Sequence, residues 1–295
     1  MISPLSSIRI ARRCLADFYA RQACIIIVTD TKEGKFLVKN RDRNYKPKLK
    51  VIHEVIAGVE VCYVKDMKTG WCEGLNEHGI GIVNSALQVG RDEAEVEVVR
   101  QVGKKRKDGE RILNALEAKT LKDAVDRLMD FKGGLKGHTF VATKDEAFSI
   151  EVTSKHDGFK TKLKDGRHVR TNHGFHYEDS GYTEGEDYVS SVARRDQAVK
   201  AIKSVKDSDE LAQALMDGRK KDRHDPNNKV RDTDNMRSTS IRVLNLNTLI
   251  LDLYVIPGKI DFLGVENKLP KGSKPRIQVR VHEFTGKDNK GLKLL

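Results

Sequence analysis

A cysteine at the start of an apolar segment is the residue best placed to do chemistry. Cys24 opens the run CIIIVTD, and the polar segment KNRD follows about 15 residues later. Cutting the Ala23–Cys24 bond would leave a thiol and a free α-amine on one residue, which places a nucleophile beside a base. A free α-amine titrates near ~7.7–8.0, so near neutral pH part of it can accept the thiol proton. The alternative interpretation is an inert cysteine buried in a strand.

The sequence predicts an alternation of strands and helices along the chain. Apolar runs separated by turn-forming residues predict strands at 24–29, 36–40, 51–57, 60–65, 70–75 and 80–85. Helical spacing follows at 110–117 and after Thr120, where Asp123 completes a box-like helix start. Strands are then predicted at 138–143, 147–152, 159–163 and 167–171, helices at 187–203 and 208–216, and strands at 239–246, 249–256 and 259–264. This order predicts an α+β fold in which two sheets pack face to face with helices outside.

The length and composition predict one folded domain with short additions at its ends. The chain has 295 residues, of which 38% are hydrophobic and 33% charged, as is typical of a globular protein. Residues 1–23 carry four arginines against one acidic residue and are interpreted as a pro-segment, an organellar transit peptide or a short surface helix. The domain is predicted at 24–267, and 268–295 is interpreted as an irregular basic tail.

The charge balance favours contact with anions. The net charge is +12, with basic runs at 104–107 (KKRK) and 219–223 (RKKDR) and eight Lys or Arg residues after residue 267. An anionic partner for the basic tail is one interpretation, and a solvated surface is the other. Nucleic-acid binding would require steep salt dependence. Aromatic residues make up 6% of the chain and none interleave with the basic runs, so a base-stacking platform is not supported.

Composition also bears on compartment and cofactors. No apolar run approaches the ~20 residues needed to span a bilayer. The four cysteines form no CxxC pair, and the histidines show no HxxxH or HExxH spacing. We therefore expect a cytoplasmic protein without a membrane span, metal or cofactor, and leave a homo-oligomer open.

Four segments together resemble the N-terminal-nucleophile hydrolases of the choloylglycine hydrolase, penicillin V acylase and acyl-CoA:isopenicillin N acyltransferase (peptidase C45-like) type. Cys24 is followed by KNRD where that family has Arg-Asn-x-Asp, so that Asn40 and Asp42 match and Lys39 stands in place of arginine. The resemblance runs from residue 24 to about residue 264. It implies a four-layer αββα sandwich, two mostly antiparallel sheets, and cleavage or transfer of acyl groups at amide bonds.

The other three segments supply further candidate site residues. The segment GWCEGLNEHGIGIVNSAL (70–87) resembles a family hairpin that ends in an oxyanion-hole asparagine, best matched by Asn84 with the register open by one or two residues. The segment 150–173 ends in TNH, which places Asn172 at the second active-site asparagine with His173 beside it. The segment 237–258 resembles the closing hairpin, which often contains an active-site arginine, and both Arg237 and Arg242 are candidates.

The resemblance implies roles for these residues. Cys24 would attack the amide carbonyl, Asp42 would bind the new α-amine or orient the thiol, and Asn84 and Asn172 would donate hydrogen bonds to the oxyanion, the substrate or the amine. Arg237 or Arg242 would lower the thiol pKa. Contacts to substrate are assigned to Lys39, Asn40, His173 and Arg242.

The leading hypothesis is therefore an amidohydrolase or acyltransferase with an N-terminal cysteine, activated by self-cleavage between Ala23 and Cys24. Its substrate would be a small N-acyl amide or a peptide-like amide. The alternative is a catalytically weak or inactive protein of the same fold, retained as a structural or binding component with a basic surface for an anionic partner.

Overall fold

The computed structural model of the protein describes residues 24–87, 107–129, 135–153, 156–217, 225–233, 236–286 and 291–295. Ala23 and the rest of the predicted leader lie outside the described residues, as do the basic runs at 104–106 and 219–223.

The first half of the described chain consists of hairpins and two helices. Strands β1 (Cys24–Thr31), β2 (Gly34–Arg43), β3 (Lys48–Ile56), β4 (Val59–Asp66), β5 (Cys72–Asn76) and β6 (Gly81–Ser85) come first. Helices α1 (Lys107–Leu116) and α2 (Leu121–Met129) follow. The Thr120 hydroxyl accepts a hydrogen bond from the Asp123 backbone N–H at 3.2 Å, which confirms the predicted start of α2.

The second half repeats this order. Strands β7 (Gly137–Ala142), β8 (Ala147–Val152), β9 (Phe159–Lys162) and β10 (Arg167–Arg170) precede helices α3 (Gly185–Ala201) and α4 (Ser208–Met216). Strands β11 (Asp232–Thr233), β12 (Met236–Asn245), β13 (Ile250–Val255), β14 (Asp261–Asn267), β15 (Gln278–Thr285) and β16 (Gly291–Leu294) complete the described chain.

The strands form two sheets. The first sheet has the order β10-β1-β2-β12-β13-β15-β16, with β11 paired to β12, and the second has the order β14-β3-β4-β5-β6-β7-β8-β9. Only β13–β15 and β14–β3 pair in parallel among the described strands. The predicted arrangement of two mostly antiparallel sheets is therefore confirmed.

Three apolar layers hold the sandwich together. One lies between the sheets and joins residues such as Ile26 and Leu37 to Val64 and Phe140. A second packs α1 and α2 on the outer face of the second sheet, and a third packs α3 and α4 on the outer face of the first. Burial of large apolar side chains contributes about 1.5–3 kcal/mol each. The result is the expected αββα order of layers.

The prediction that residues 268–295 form an irregular tail outside the domain is wrong. Residues 278–285 form β15, which pairs in parallel with β13, and residues 291–294 form β16 at the edge of the first sheet. Ile277, Val281 and Phe284 are at most 5% exposed. The polar residues Gln278, Arg280 and Glu283 interrupt the apolar residues of β15, so no continuous apolar run marks this strand in the sequence.

Among the described residues, no helix has the length and apolar character needed to cross a membrane.

Candidate active site

Cys24 lies where the first strand begins, and both of its candidate reacting atoms have specific partners. Its backbone N–H donates to Asn172 Oδ1 at 3.0 Å, and its sulfur lies 3.6 Å from Arg43 Nη1. The side chain is 1% exposed. The partners reach it because β1 is flanked by β2 and β10, and Asn172 follows the end of β10.

Strand β2 supplies most of the surrounding charge because side chains alternate along a strand. Cys24 stands opposite Arg41 in the register of the β1–β2 pair. Lys39, Arg41 and Arg43 are alternate residues and point between the two sheets, like their apolar neighbour Leu37. Asn40 and Asp42 point the other way, toward the α3 side.

Glu73 on β5 forms ion pairs with cations between the sheets. Its carboxylate lies 2.5 Å from Lys39 Nζ and 3.0 Å from Arg242 Nη1. It also accepts the indole N–H of Trp71 at 2.7 Å. Burial raises the pKa of the Glu73 carboxyl, but Lys39, Arg242 and Arg41 together hold that pKa well below its usual range. Glu73 therefore stays ionised.

Asp66 on β4 adds the second carboxylate between the sheets. It lies 3.2 Å from Arg41 Nη2 and accepts the Tyr45 hydroxyl at 2.6 Å. Because both carboxylates face Arg41, the side chains of β2 are held in place by the opposite sheet. Breaking a buried pair of this kind costs about 3–5 kcal/mol.

The cations make Cys24 more acidic than a free thiol. Burial raises the pKa of the Cys24 thiol, but the positive charges of Lys39, Arg43 and Arg41 together outweigh burial and the nearby Asp42, so the pKa is lowered. Burial instead raises the pKa of the Cys62 and Cys72 thiols. Cys24 is thus distinguished from these two free cysteines by its charged surroundings, which is a property of nucleophilic thiolates.

The structure gives Asp42 a different partner from the one expected. Its carboxylate forms an ion pair with Arg194 of α3 and accepts the Ser238 hydroxyl at 2.5 Å, and all three side chains are fully or almost fully buried. The Cys24 backbone N–H bonds to Asn172 and not to Asp42. Asp42 therefore acts on Cys24 in this structure through its charge rather than through a hydrogen bond.

Asn172 contacts Cys24 through its side-chain oxygen, which accepts the Cys24 backbone N–H, whereas the sequence analysis expected its side-chain N–H to donate. Its side-chain N–H donates to the Ala86 carbonyl at 2.6 Å, and its backbone N–H donates to Ser191 Oγ at 3.0 Å. These contacts orient the amide so that its oxygen faces the Cys24 nitrogen. The two residues are 148 positions apart in sequence.

Asn84 does not contribute its side chain to this site. Its amide donates to Thr139 Oγ1 at 2.8 Å, on the face of the second sheet that packs against α1 and α2. Only its backbone carbonyl, which accepts Lys39 Nζ, points to the cluster. A shift of one residue changes the face of a strand, and it is Ser85 whose hydroxyl lies 3.4 Å from Asn172 Nδ2.

The two candidate arginines, Arg237 and Arg242, have different environments in the structure. Arg242 is fully buried beside Glu73, whereas Arg237 is exposed and stands opposite Arg43 in the register of β2 and β12. The cations that lower the thiol pKa are Lys39, Arg43 and Arg41, so the effect expected of Arg237 or Arg242 comes from β2.

Asn40 and His173 lie beside the site but have their own partners. Asn40 donates to the Lys229 carbonyl at 2.8 Å. His173 Nδ1 lies 2.9 Å from Ser191 Oγ, and its Nε2 lies 3.3 Å from Arg195. Burial, followed by the charge of Arg195, lowers the pKa of His173 to about 4, so the ring is neutral at pH 7. Neither side chain contacts Cys24.

Arg43, Glu73 and Arg194 are the functional candidates that the sequence analysis missed. The alternation of charge in KNRDR was a usable signal for Arg43, because it places every second residue on the Cys24 face. Glu73 and Arg194 lie on distant segments and gave no local signal. In the described part of the chain, no group of three His, Cys, Asp or Glu side chains could hold a metal ion.

The arrangement combines three features. The pKa of the Cys24 thiol is lowered, the Cys24 backbone nitrogen is hydrogen-bonded to the side-chain amide of Asn172, and a buried cluster of cations lies beside both. These are the elements of nucleophilic attack on an acyl carbon, with positive charge available for the oxyanion. The αββα order of layers, with Cys24 at the start of β1, fits the N-terminal-nucleophile class of proteins.

The sequence profile of the acyl-coenzyme A:6-aminopenicillanic acid acyl-transferase family matches residues 29–239, and the chain belongs to this family. The match begins after Cys24. No curated protein sequence matches the chain.

Two solved structures are similar to this one to different degrees. An N-acylethanolamine-hydrolyzing acid amidase ortholog from Caenorhabditis elegans superposes with a TM-score of 0.55 at 17% identity, covering 76% of this chain and 93% of that one. Penicillin V acylase from Agrobacterium tumefaciens gives a TM-score of 0.40 at 9% identity, covering 81% of this chain and 87% of that one. The first similarity concerns the fold alone.

Proposed function

We propose that the protein is an amidohydrolase or acyltransferase whose nucleophile is Cys24, acting on a small N-acyl amide or a peptide-like amide. The observation that carries the proposal is the placement of Cys24, with its nitrogen on Asn172 and its sulfur beside Arg43. The lowered pKa of the thiol supports it, as does membership of an acyltransferase family.

In this proposal Cys24 first cleaves the bond that precedes it, by the same attack on a carbonyl that it later makes on the substrate. In the uncut chain the Cys24 sulfur attacks the carbonyl of Ala23, the acyl group moves from nitrogen to sulfur, and water hydrolyses the thioester. The product is an α-amine on Cys24. In the mature protein this amine takes the thiol proton.

The reaction with substrate then proceeds in two steps. The thiolate attacks the amide carbonyl, the C–N bond breaks, and the proton held by the α-amine passes to the leaving amine. Water or an acceptor amine next attacks the thioester, which gives hydrolysis or acyl transfer. Lys39 and Arg43 stabilise negative charge on the sulfur and on the tetrahedral intermediate.

The test is the state of the Ala23–Cys24 bond and of the Cys24 thiol. Intact-mass analysis of the purified protein is expected to show a chain beginning at Cys24, and iodoacetamide at neutral pH is expected to label Cys24 faster than Cys62 or Cys72. Cys24→Ala is expected to leave the chain uncut and inactive toward amides.

Cys62→Ala is the matched control, because Cys62 is also a fully buried strand cysteine but its pKa is raised. This variant is expected to retain cleavage and labelling. An uncut chain whose Cys24 reacts no faster than free cysteine would overturn the proposal and favour the alternative of an inactive structural or binding protein.

A further inference from the structure

The loop that carries Asn172 is attached to helix α3 by the side chain of Ser191. Ser191 Oγ accepts the Asn172 backbone N–H at 3.0 Å and donates to Thr171 Oγ1, also at 3.0 Å. The same oxygen lies 2.9 Å from His173 Nδ1. The Thr171 hydroxyl donates in turn to the Ser191 backbone carbonyl at 3.0 Å. One serine therefore contacts three consecutive residues of the loop, and Asn172 is the middle one.

These contacts are shielded from water. Ser191, Thr171 and Asn172 are at most 1% exposed, and His173 is 6% exposed. A buried backbone N–H without an acceptor is costly, so the bond from Asn172 to Ser191 holds the loop against the helix. Alanine is the better helix former in a helix interior. The Ser191 hydroxyl therefore contributes to the contact with the loop and not to the formation of α3.

Arg195, one turn further along α3, determines which nitrogen of His173 carries the proton. Arg195 Nη1 lies 3.3 Å from His173 Nε2, and a guanidinium only donates, so Nε2 is the acceptor. The pKa of His173 is lowered to about 4, first by burial and then by Arg195, so the ring is neutral at pH 7. Its one N–H is therefore on Nδ1 and donates to Ser191 Oγ. The serine oxygen thus accepts two N–H groups and donates its own proton to Thr171.

The side chain of Asn172 extends from this anchored backbone to the candidate nucleophile. Its Oδ1 accepts the Cys24 backbone N–H at 3.0 Å, and its Nδ2 donates to the Ala86 carbonyl at 2.6 Å. The bond to Ala86 fixes the orientation of the amide, whereas the bond to Ser191 fixes the backbone from which the amide extends. A displacement of about 1 Å at a reacting centre costs roughly 10²-fold in rate.

Resting on the proposed function, we infer that Ser191 is a positioning residue for the reaction of Cys24 and acts through the backbone of Asn172. Ser191 determines where the Asn172 amide oxygen lies relative to the Cys24 nitrogen. Before cleavage this nitrogen belongs to the bond that is cut, and after cleavage it is the α-amine that moves the proton. Arg195 supports the arrangement through His173.

Ser191→Ala is the direct test, because it leaves the Asn172 N–H without its acceptor and keeps a residue that favours the helix. Cleavage of the Ala23–Cys24 bond is expected to slow about tenfold in this variant. The measurement is intact-mass analysis at successive times after cell-free synthesis of the full-length chain.

Ser190→Ala is the matched control on the same helix. Ser190 is 1% exposed, and its hydroxyl donates to the Pro226 carbonyl at 2.6 Å and accepts from Arg231 Nη2 at 2.7 Å. The control thus removes a buried, hydrogen-bonded hydroxyl at the adjacent position but releases a different segment. It is expected to lower the melting temperature about as much as Ser191→Ala and to leave the cleavage rate unchanged.

Two variants at Thr171 test the same connection from the loop. Thr171→Val replaces the hydroxyl with a methyl group of similar size, which removes both bonds to Ser191, and cleavage is expected to slow about threefold or more. Thr171→Ser keeps the hydroxyl and is expected to restore the wild-type rate. Because this pair changes little volume, it also decides the question if the Ser191→Ala chain does not fold.

The kinetics of the cut enzyme separate positioning from a loss of folded protein. Amide hydrolysis by the mature chain is normalised to the amount of Cys24 that iodoacetamide labels. In Ser191→Ala, kcat and kcat/KM are expected to fall together by about tenfold with KM unchanged. A variant that is only less stable keeps the wild-type kcat after this normalisation.

The outcomes distinguish the inference from the proposed function. Equal cleavage rates in Ser191→Ala and Ser190→Ala, or a Thr171→Val chain that is cut as fast as the Thr171→Ser chain, would overturn the inference and leave the proposed function standing. A wild-type chain that is never cut at Cys24 and hydrolyses no amide would overturn the proposed function and the inference with it.

Discussion

At the scale of single residues, the proposed chemistry depends on the positive charge around one sulfur. Burial alone would make Cys24 as inert as Cys62, since both are almost fully buried. The cations of β2 reverse that effect on the thiol pKa. The same charges depend on Glu73 and Asp66 for their position, so reactivity at Cys24 and packing between the sheets have a common origin.

Lys39 is the cation whose removal tests this account most directly. In Lys39→Met, the midpoint of the pH profile for Cys24 alkylation is expected to move upward by about one pH unit, because the largest single attraction for the thiolate is lost. Rates below the midpoint should fall about tenfold. The measurement is the rate of iodoacetamide labelling at Cys24 from pH 5 to pH 10.

Lys39→Arg keeps the charge and is expected to restore a low midpoint. Lys35→Met is the matched control, because Lys35 lies four residues earlier on the same strand, is buried, and pairs with Asp30 at 2.7 Å. A profile that shifts equally in both methionine variants would contradict the local charge effect. Thermal unfolding of each variant shows whether the fold is retained.

At the scale of elements, strand register decides which side chains reach the site. The β2 alternation puts Arg43 beside the thiol and Asp42 against α3. On β6 the same alternation directs Asn84 away from Cys24 and Ser85 toward Asn172. The loop after β10 then completes the site by bringing Asn172 to the start of β1.

Asn84 and Asn172 are both fully buried asparagines, and their alanine variants are expected to behave differently. Asn84→Ala should lower the free energy of unfolding by about 1–3 kcal/mol through the lost bond to Thr139 and leave Cys24 labelling unchanged. Asn172→Ala should impair cleavage at Cys24 and slow labelling. Denaturant unfolding and intact-mass analysis measure the two effects. Loss of Cys24 reactivity in Asn84→Ala, with stability intact, would show that Asn84 serves the site.

At the scale of the whole molecule, the C-terminal residues belong to the fold that carries the site. Strand β15 extends the first sheet from β13, and β13 pairs with β12, which is the neighbour of β2. The apolar side chains of Ile277, Val281 and Phe284 are covered by the rest of the protein. The basic character of this segment is therefore confined to its exposed residues.

Deletion of residues 268–295 is expected to prevent stable folding. Exposing three buried apolar side chains costs about 5 kcal/mol or more, which is comparable to the total stability of many domains. Circular dichroism and solubility of the truncated chain measure the effect. The double variant Lys271→Gln with Lys274→Gln removes charge from the same segment and should leave the melting temperature nearly unchanged. A truncated chain that folds with an unchanged melting temperature would restore the interpretation as a detachable tail.

The sequence by itself determined the order and type of most elements, because the period of apolar residues is a local property that burial enforces. It also determined that Cys24 begins a strand, that charge alternates along KNRDR, and that Asn172 ends the segment after β10. Only the tertiary structure decided that the Asn172 side chain binds the Cys24 nitrogen. It also decided that Glu73 pairs with Lys39 and Arg242, and that Arg237 lies at the surface. These outcomes depend on which strands pair and in what register, and a shift of one residue exchanges the two faces of a strand. Local patterns cannot supply that information, because the partners are joined by contacts between segments far apart in the chain.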